Sequence, residues 1–429
     1  MLKYLWTVTQ DLFVTVTLVT MMHALLERVC GKFGRRFHGI GIGVAVAASA
    51  ALAAVKDTSN KIISSHWNHY IYALTLVFAL AFIVLCLIAG RKGRDRIGAM
   101  GTLLCLSGTG ATVLLIFYHL PGVMLYPFNF NTMGNGYLSS YYVVRMLGWL
   151  IALVLLLAYS RLLYLCALHI RPLSTLSWLT CAGTFVYWIY CTGRFFMPWV
   201  NRAKWLNWPV KYTKEAYGFI GDWMMFTAYQ SMLFIWAIFL LALTVLLICY
   251  FQNTRVTEPW DNPAQKRKLR ARNRHYRRMA CAAAGALVVF VCFLTLVKGY
   301  DTRVIELSAP ETYTVDGENI YVPLEAVNDF HLHRFEYRTE NDVDVRWIVV
   351  RKPNSAAYGV GLDACDVCGN AGYYERGGQV VCRRCDVVMN INPIGFKGGC
   401  NPVPLAYEVG DGNLIFKLSD ILEGERRFK

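Results

Sequence analysis

Eight stretches of roughly 20 mostly apolar residues occupy the first two thirds of this chain, and each is long enough to cross a bilayer as an α-helix. They run over Leu5–Leu26, His38–Val55, Tyr70–Gly90, Ile97–Leu120, Tyr142–Leu165, Leu173–Thr192, Phe226–Tyr250 and Met279–Val297. The composition agrees. Of 429 residues, 56% are hydrophobic and only 17% charged, against roughly a quarter charged in ordinary soluble domains. Disorder, a fibrous architecture and a simple soluble enzyme are excluded. The expected fold is a polytopic α-helical membrane protein of about eight transmembrane helices over residues 1–298, followed by a second domain over 299–429. The first stretch follows Met1 with one lysine and no small-residue cleavage site, so it reads as a retained helix.

Charge placement sets an orientation. Residues 1–298 carry an excess of 21 basic over acidic residues, whereas 299–429 carry an acidic excess of six. The cations cluster in alternate loops: Arg28, Lys32, Arg35 and Arg36; Arg91, Lys92, Arg94 and Arg96; Arg161 and Arg171; and nine between Arg255 and Arg278. Positive loops stay cytoplasmic, which puts the N-terminus and, after eight crossings, the C-terminal domain outside. The basic run Gln265–Arg278 directly precedes the last apolar stretch and reads as an orientation signal with attraction for anionic lipid. No nucleic-acid-binding motif accompanies it, so nucleic acid is not an expected partner. The 194–216 segment holds five cations and Phe195, Phe196, Trp199, Trp205 and Trp208, and reads as an interfacial aromatic loop.

Ionisable groups inside apolar stretches are costly and therefore functional candidates. Glu27 and Arg145 are near enough to helix ends to reach water, and Asp222 falls before its helix, which leaves Asp11 and His23 as candidates for an intramembrane relay. No histidine pair at one depth is apparent for holding a haem. Gly39, Gly41 and Gly43 follow no strand, so they read as a helix-packing face, not a phosphate loop. None of the nine cysteines in this half forms a Cys-x2-Cys pair, which argues against a transmembrane thiol relay.

After Val297 the texture changes to short alternating runs separated by Gly, Asp and Asn. Thr312–Val315 and Asn319–Leu324 flank an Asp316-Gly317 turn; Phe330–Arg338, Val343–Lys352, Ala356–Leu362 and Leu414–Leu418 complete a small, mostly β domain. Its five cysteines carry the chemistry. Cys365-Asp-Val-Cys368 and Cys382-Arg-Arg-Cys385 bracket a potential hairpin over Tyr373-Tyr374 and Gln379–Val381, so four thiolates converge as in a zinc ribbon or a rubredoxin-like site. Four thiolates suit zinc, mononuclear iron, an iron–sulfur cluster or cuprous copper. Cys400, in Gly398-Gly399-Cys400-Asn401-Pro402, and His333 are further candidate ligands, His331 and His333 lying at alternate positions of one strand. A redox-active disulfide is the other chemistry open to a Cys-x2-Cys pair outside the cytoplasm.

The run Leu362-Asp-Ala-Cys365-Asp-Val-Cys368, the following Gly372-Tyr373, then Val381-Cys382-Arg-Arg-Cys385, and Ile394-Gly395 leading to Gly399-Cys400-Asn401-Pro402, resemble the FtrD-like family of membrane iron–sulfur proteins. The resemblance covers about the last 110 residues and not the helical half. It implies an exported cysteine-rich domain on a membrane anchor, working beside a ferrous-iron permease and its periplasmic metal-binding partners, with Cys365, Cys368, Cys382 and Cys385 as ligands and Cys400 as a further one. Some relatives carry an Arg-Glu-Gly-x-Glu permease motif, which this sequence lacks; Glu27-Arg28 is the nearest, reversed. The expected function is therefore a membrane-anchored metal-binding accessory of an iron uptake system, acting in electron transfer or metal delivery. The alternatives are a scaffold whose structural zinc ribbon recruits a periplasmic partner, and a thiol–disulfide redox protein. No hydrolytic constellation is present.

Overall fold

A computed structural model describes the chain except residues 59–67, 93–97, 130–139, 206–213, 304–305, 354, 367, 377, 385–386, 390, 392–393 and 396–400. The chain divides into two compact units, Met1–Thr302 and Arg303–Lys429.

The first unit is helical: α1 Leu2–Thr58, α2 Asn68–Lys92, α3 Gly98–Met124, the single turn α4 Tyr126–Asn129, α5 Ser140–His169, α6 Leu173–Trp205, α7 Lys214–Tyr229, α8 Ser231–Gln252, α9 Pro263–Cys292 and α10 Lys298–Asp301. A π turn, Phe293–Val297, joins α9 to α10. Six described helices are long and apolar enough to cross a membrane. They are α1, α2, α3, α5, α8 and the α9–α10 run, so the chain has the character of a membrane protein.

At about 1.5 Å per residue, a straight α1 of 57 residues would be far longer than a hydrocarbon core about 30 Å thick. It is not straight. Gly31 lies at φ 63°, ψ −141°, close to a region open essentially to glycine alone, and the helix folds back there. The rings of His23 and His38, which a straight helix would hold about 22 Å apart, meet with their Nδ1 atoms at 2.9 Å. The first two apolar stretches of the sequence are therefore the two arms of α1. On the second arm, a β-carbon at Gly41 would run into Thr109 of α3, whereas Gly39 and Gly43 face open space; one of the three glycines mediates close packing.

The bundle interior is centred on Phe13, which stacks on Phe239 of α8 at 3.8 Å and on Tyr159 of α5 at 5.7 Å. Phe290 of α9 meets Phe13 and Tyr159 edge-on. At one end of the bundle, Trp6 Nε1 donates to Asp301 Oδ2 (2.8 Å) and Lys298 Nζ to Gln10 Oε1 (2.8 Å). The other end joins the described basic loops after the first arm of α1, after α5 and before α9. Arg28 donates to the carbonyl of Ile170, and Glu258 pairs with both Arg171 and Arg272 at 2.6 Å. The α9 helix starts from Asn262, whose side chain caps the N–H of Gln265 (2.8 Å), and carries the basic run as its first half.

Two sequence readings change. Hydropathy marks the apolar part of a helix, not its length, so α6 continues helically to Trp205, well into the expected 194–216 loop, of which residues 206–213 lie outside the described residues. Asp222 does precede α8, but it sits in a separate helix, α7.

The second unit is mostly β. The strands are β1 Thr314–Asp316, β2 Asn319–Pro323, β3 His333–Arg338, β4 Asp344–Arg351, β5 Tyr358–Leu362, β6 Tyr373–Arg376, β7 Gln379–Cys382, β8 Val388–Met389, β9 Glu408–Gly410 and β10 Asn413–Lys417, and the helix α11 Leu418–Glu423 follows. They form three sheets of order β1-β2-β10-β9, β3-β4-β5 and β6-β7-β8, with every pairing antiparallel. Strand β4 separates two cores. Val345, Trp347 and Val349 pack with Ile320, Val322, Leu414 and Phe416 on one side. Ile348 and Val350 pack with Cys365, Cys368, Cys382 and Tyr373 on the other. A strand buried on both faces carries a continuous apolar run, which explains Trp347-Ile348-Val349-Val350.

Gly31→Ala is expected to destabilise the purified protein by about 1–3 kcal/mol, because alanine must adopt the same positive φ. Gly39→Ala, in open helical space, should be neutral or slightly stabilising. Thermal unfolding in detergent measures both; equal midpoints would mean that the Gly31 backbone carries no such constraint.

Candidate functional site

The first cysteine pair sits in a closed turn. Cys365 and Gly369 exchange two backbone hydrogen bonds, N–H to carbonyl in each direction, both 3.0 Å. The chain can reverse so tightly because Gly369 lies at φ 66°. Inside the turn, the N–H of Cys368 donates to Cys365 Sγ at 3.0 Å. Cys382 ends β7, directly opposite Tyr373 of β6, and its N–H donates to the carbonyl of Val387 at 3.0 Å.

The two corners are joined. Arg383 N–H donates to the carbonyl of Gly372 (2.9 Å), and Arg384 Nη1 donates to the carbonyl of Cys368 (3.3 Å). Tyr373 lies between them. Burial, followed by the charge and hydrogen bond of Cys365 and then the charge of Cys382, raises its phenol well above the ordinary tyrosine value. The three described cysteines are buried.

Beneath both corners lies a buried ion-pair cluster. Asp363, two residues before Cys365, is fully buried and Arg334 is 1% exposed. Asp363 Oδ2 accepts from Arg334 Nε (3.0 Å) and Arg346 Nε (3.3 Å), and its Oδ1 accepts from the N–H of Tyr373 (2.7 Å). Arg334 also donates to the carbonyl of Tyr373 and to Ser308 Oγ. One carboxylate thus ties the strand entering the first corner to the hairpin carrying the second. Nothing in the local spacing signals it, since Arg334 and Asp363 are 29 residues apart.

Of the sequence candidates, Cys365, Cys368 and Cys382 share one core, while Cys385 and Cys400 lie outside the described residues. Among the described residues, no three His, Cys, Asp or Glu side chains stand at metal-holding separations. His333 is not on the cysteine side. It pairs with Val349, whose side chain belongs to the opposite core, and its ring meets Glu311 (3.0 Å) and Asp329 (2.7 Å). His331 is exposed and bonds Glu375 of β6 at 2.9 Å, and this carboxylate raises its pKa. Asp366 pairs with Arg427 at 2.7 Å; Asp386 lies outside the described residues.

In the helical unit, Asp11 and His23 lie on the same arm, about 18 Å apart by helix rise, so they are separate sites. Asp11 accepts from Tyr126 Oη (2.7 Å) and borders a cavity of about 280 Å³ shared with His119, Tyr187 and Arg194. His23 forms the pair with His38 that sequence spacing concealed. Thr112 Oγ1 lies 2.9 Å from His38 Nε2 and 3.4 Å from Met22 Sδ. Facing Nδ1 atoms at 2.9 Å leave no space for a haem between the rings.

Residues 327–428 match the FtrD-like family, described as membrane iron-sulfur containing protein FtrD-like. The FtrD-like match takes in β3 to β10, both cysteine corners and the Asp363 cluster. No curated protein and no solved structure matches the chain. The donor chemistry suits what the family's description names: soft sulfur donors, buried in an apolar setting, one already receiving a backbone N–H.

Removing one partner of a buried ion pair strands the others. Asp363→Asn is expected to cost about 3–5 kcal/mol of domain stability, whereas Asp366→Asn, which loses a solvent-exposed pair, should cost no more than about 1 kcal/mol. Denaturant unfolding of the full chain compares the two; similar losses would remove the Asp363 cluster from its anchoring role.

Proposed function

We propose that the protein is a membrane-anchored metal-binding accessory of an iron uptake system, whose C-terminal domain holds an iron–sulfur cluster or a mononuclear iron or copper ion through Cys365, Cys368, Cys382 and Cys385 and acts in electron transfer or metal delivery. The observation that carries this reading is the junction, by Arg383, Arg384 and Tyr373, of the turn holding buried Cys365 and Cys368 with buried Cys382 at the end of β7, inside a region matching an iron–sulfur family. When bound, such a group supplies a one-electron couple or a transferable soft ion. The chain's own residues provide the rest. Cys368 N–H donates to Cys365 Sγ and fixes its direction, Tyr373 and the apolar core exclude water, and Asp363 fixes the spacing of the two strands that carry the cysteines. Cys400 remains a candidate ligand of the same site. His333, on the far face of β3, acts in folding through Glu311 and Asp329.

The same reading places eight membrane crossings in the helical unit, both arms of α1 and α6 included, in the cell membrane with the cysteine domain outside. It is supported by the joining of the described basic loops at one end of the bundle. The partners are the lipid bilayer, an iron permease and periplasmic metal-binding proteins.

A second reading is favoured by one feature: the cysteines are part of a packed core with Ile348, Val350 and Val380, where a structural zinc would supply folding energy. Anaerobic purification with elemental analysis, visible absorption and electron paramagnetic resonance separates the two. Iron or copper that responds to dithionite is expected, with metal falling to trace levels in Cys365→Ser and Cys382→Ser but retained in His333→Gln. Stoichiometric zinc with no redox response would end the electron-transfer reading in favour of the zinc scaffold.

A further inference from the structure

Six of the nine membrane-unit cysteines meet in pairs, and every pair joins two helices. Cys30 of α1 lies beside Cys105 of α3, Cys86 of α2 beside Cys181 of α6, and Cys166 of α5 beside Cys249 of α8, where His169 and Asn253, one turn on, join the same two helix ends. The backbone confirms the close approach. Cys86 Sγ also reaches the carbonyl of Ser177 and Cys181 Sγ that of Ile83, both at 3.9 Å, one turn from the partner cysteine in each case. Cys30 Sγ donates to the carbonyl of Gly101 at 3.4 Å, one turn before Cys105. This corrects the sequence reading: Cys-x2-Cys spacing is irrelevant where the two thiols come from different helices.

Two features set these pairs apart from cysteines used only as small apolar fillers. Each of the six helices takes part once, so the pairs match α1 with α3, α2 with α6 and α5 with α8. All three also lie at the same end of the bundle, near the Gly31 bend, the end of α2, the start of α3, and the α5–α6 and α8–α9 connections. That these ends coincide is shown by Arg28 on the carbonyl of Ile170, the Cys86–Cys181 contact, and His169 Nε2 on Asn253 Oδ1 at 3.0 Å. Cys191, bonded to Tyr187, lies toward the other end of α6.

We propose that the three pairs are dithiol–disulfide sites that close under lipid-soluble peroxide and covalently tie six helices into three couples at one end of the bundle. Five of the six thiols are at most 4% exposed, so the oxidant must enter from the lipid phase; an alkyl hydroperoxide is of that class. One thiol sulfur attacks the peroxide oxygen, the O–O bond breaks and the alcohol leaves. The second thiol displaces water from the resulting sulfenic acid and the S–S bond forms. Two thiols lose two electrons and two protons, and the peroxide becomes an alcohol and a water. Thiols that face one another from adjacent helices are placed for a disulfide to close.

The test uses the full chain in detergent, reduced, then treated with tert-butyl hydroperoxide, alkylated with N-ethylmaleimide and digested for non-reducing mass spectrometry. Linked peptides 30–105, 86–181 and 166–249 are expected, each reversed by dithiothreitol, with Cys191, Cys281 and Cys292 alkylated throughout. Cys86→Ser should remove only the 86–181 link. Absence of links, scrambled links, or stable sulfinic acid at these six positions would overturn the proposal. The cysteines of the C-terminal domain fall on separate peptides, so this outcome is independent of the metal reading.

Discussion

The cysteine domain depends on one buried carboxylate. Two charged arginines and a backbone N–H converge on Asp363 where water is excluded, and such a cluster is stable only if every partner is present. In return it fixes geometry. The distance from Asp363 to Cys365 is set by the chain, and the distance from Tyr373 to Cys382 by strand register, so holding Asp363 against Tyr373 holds the two sulfur corners together. A hydrophobic substitute could match the volume but would not select a single placement of β6 relative to β5. The charged cluster is thus better understood as a device for position than as a source of stability.

The strand β4 performs a second division of labour. Its alternation sends Trp347 and Val349 into the larger core, and Ile348 and Val350 towards the sulfurs. The same parity acts on β3, where Arg334 reaches the sulfur side and His333 does not. Two neighbouring residues are separated in role by the pleat alone.

This shows where the sequence was legible. Apolar length marked the membrane stretches, and Cys-x2-Cys spacing with an intervening hairpin marked the corners, because both signals are local. Strand positions were also close, since Gly317 and the alternating runs punctuate them. What escaped was long-range: the 29-residue reach from Arg334 to Asp363, the His23–His38 meeting across Gly31, and three thiol pairs between helices. Strands β8 and β9 and helix α11 were missed because two- and three-residue strands and a six-residue helix carry too little periodicity to register. The doubly buried end of β4 was read as an alternating strand for a related reason: period two presumes one wet face.

The bend at Gly31 has consequences for charge as well as for packing. Reversal there brings His23 and His38 together inside the bundle, while Glu27, which accepts from Tyr164 and faces Arg35 at 3.6 Å, stays toward the solvated end. A chain of polar groups therefore runs inward from the basic end through Glu27, Tyr164, His23, His38 and Thr112, linked by hydrogen bonds except where the rings of Tyr164 and His23 pack at 5.4 Å. In a low-dielectric interior each of these groups would be costly alone. The fold keeps them because the bend at Gly31 gives His23 and His38 each other as partners, and α3 supplies Thr112 behind them.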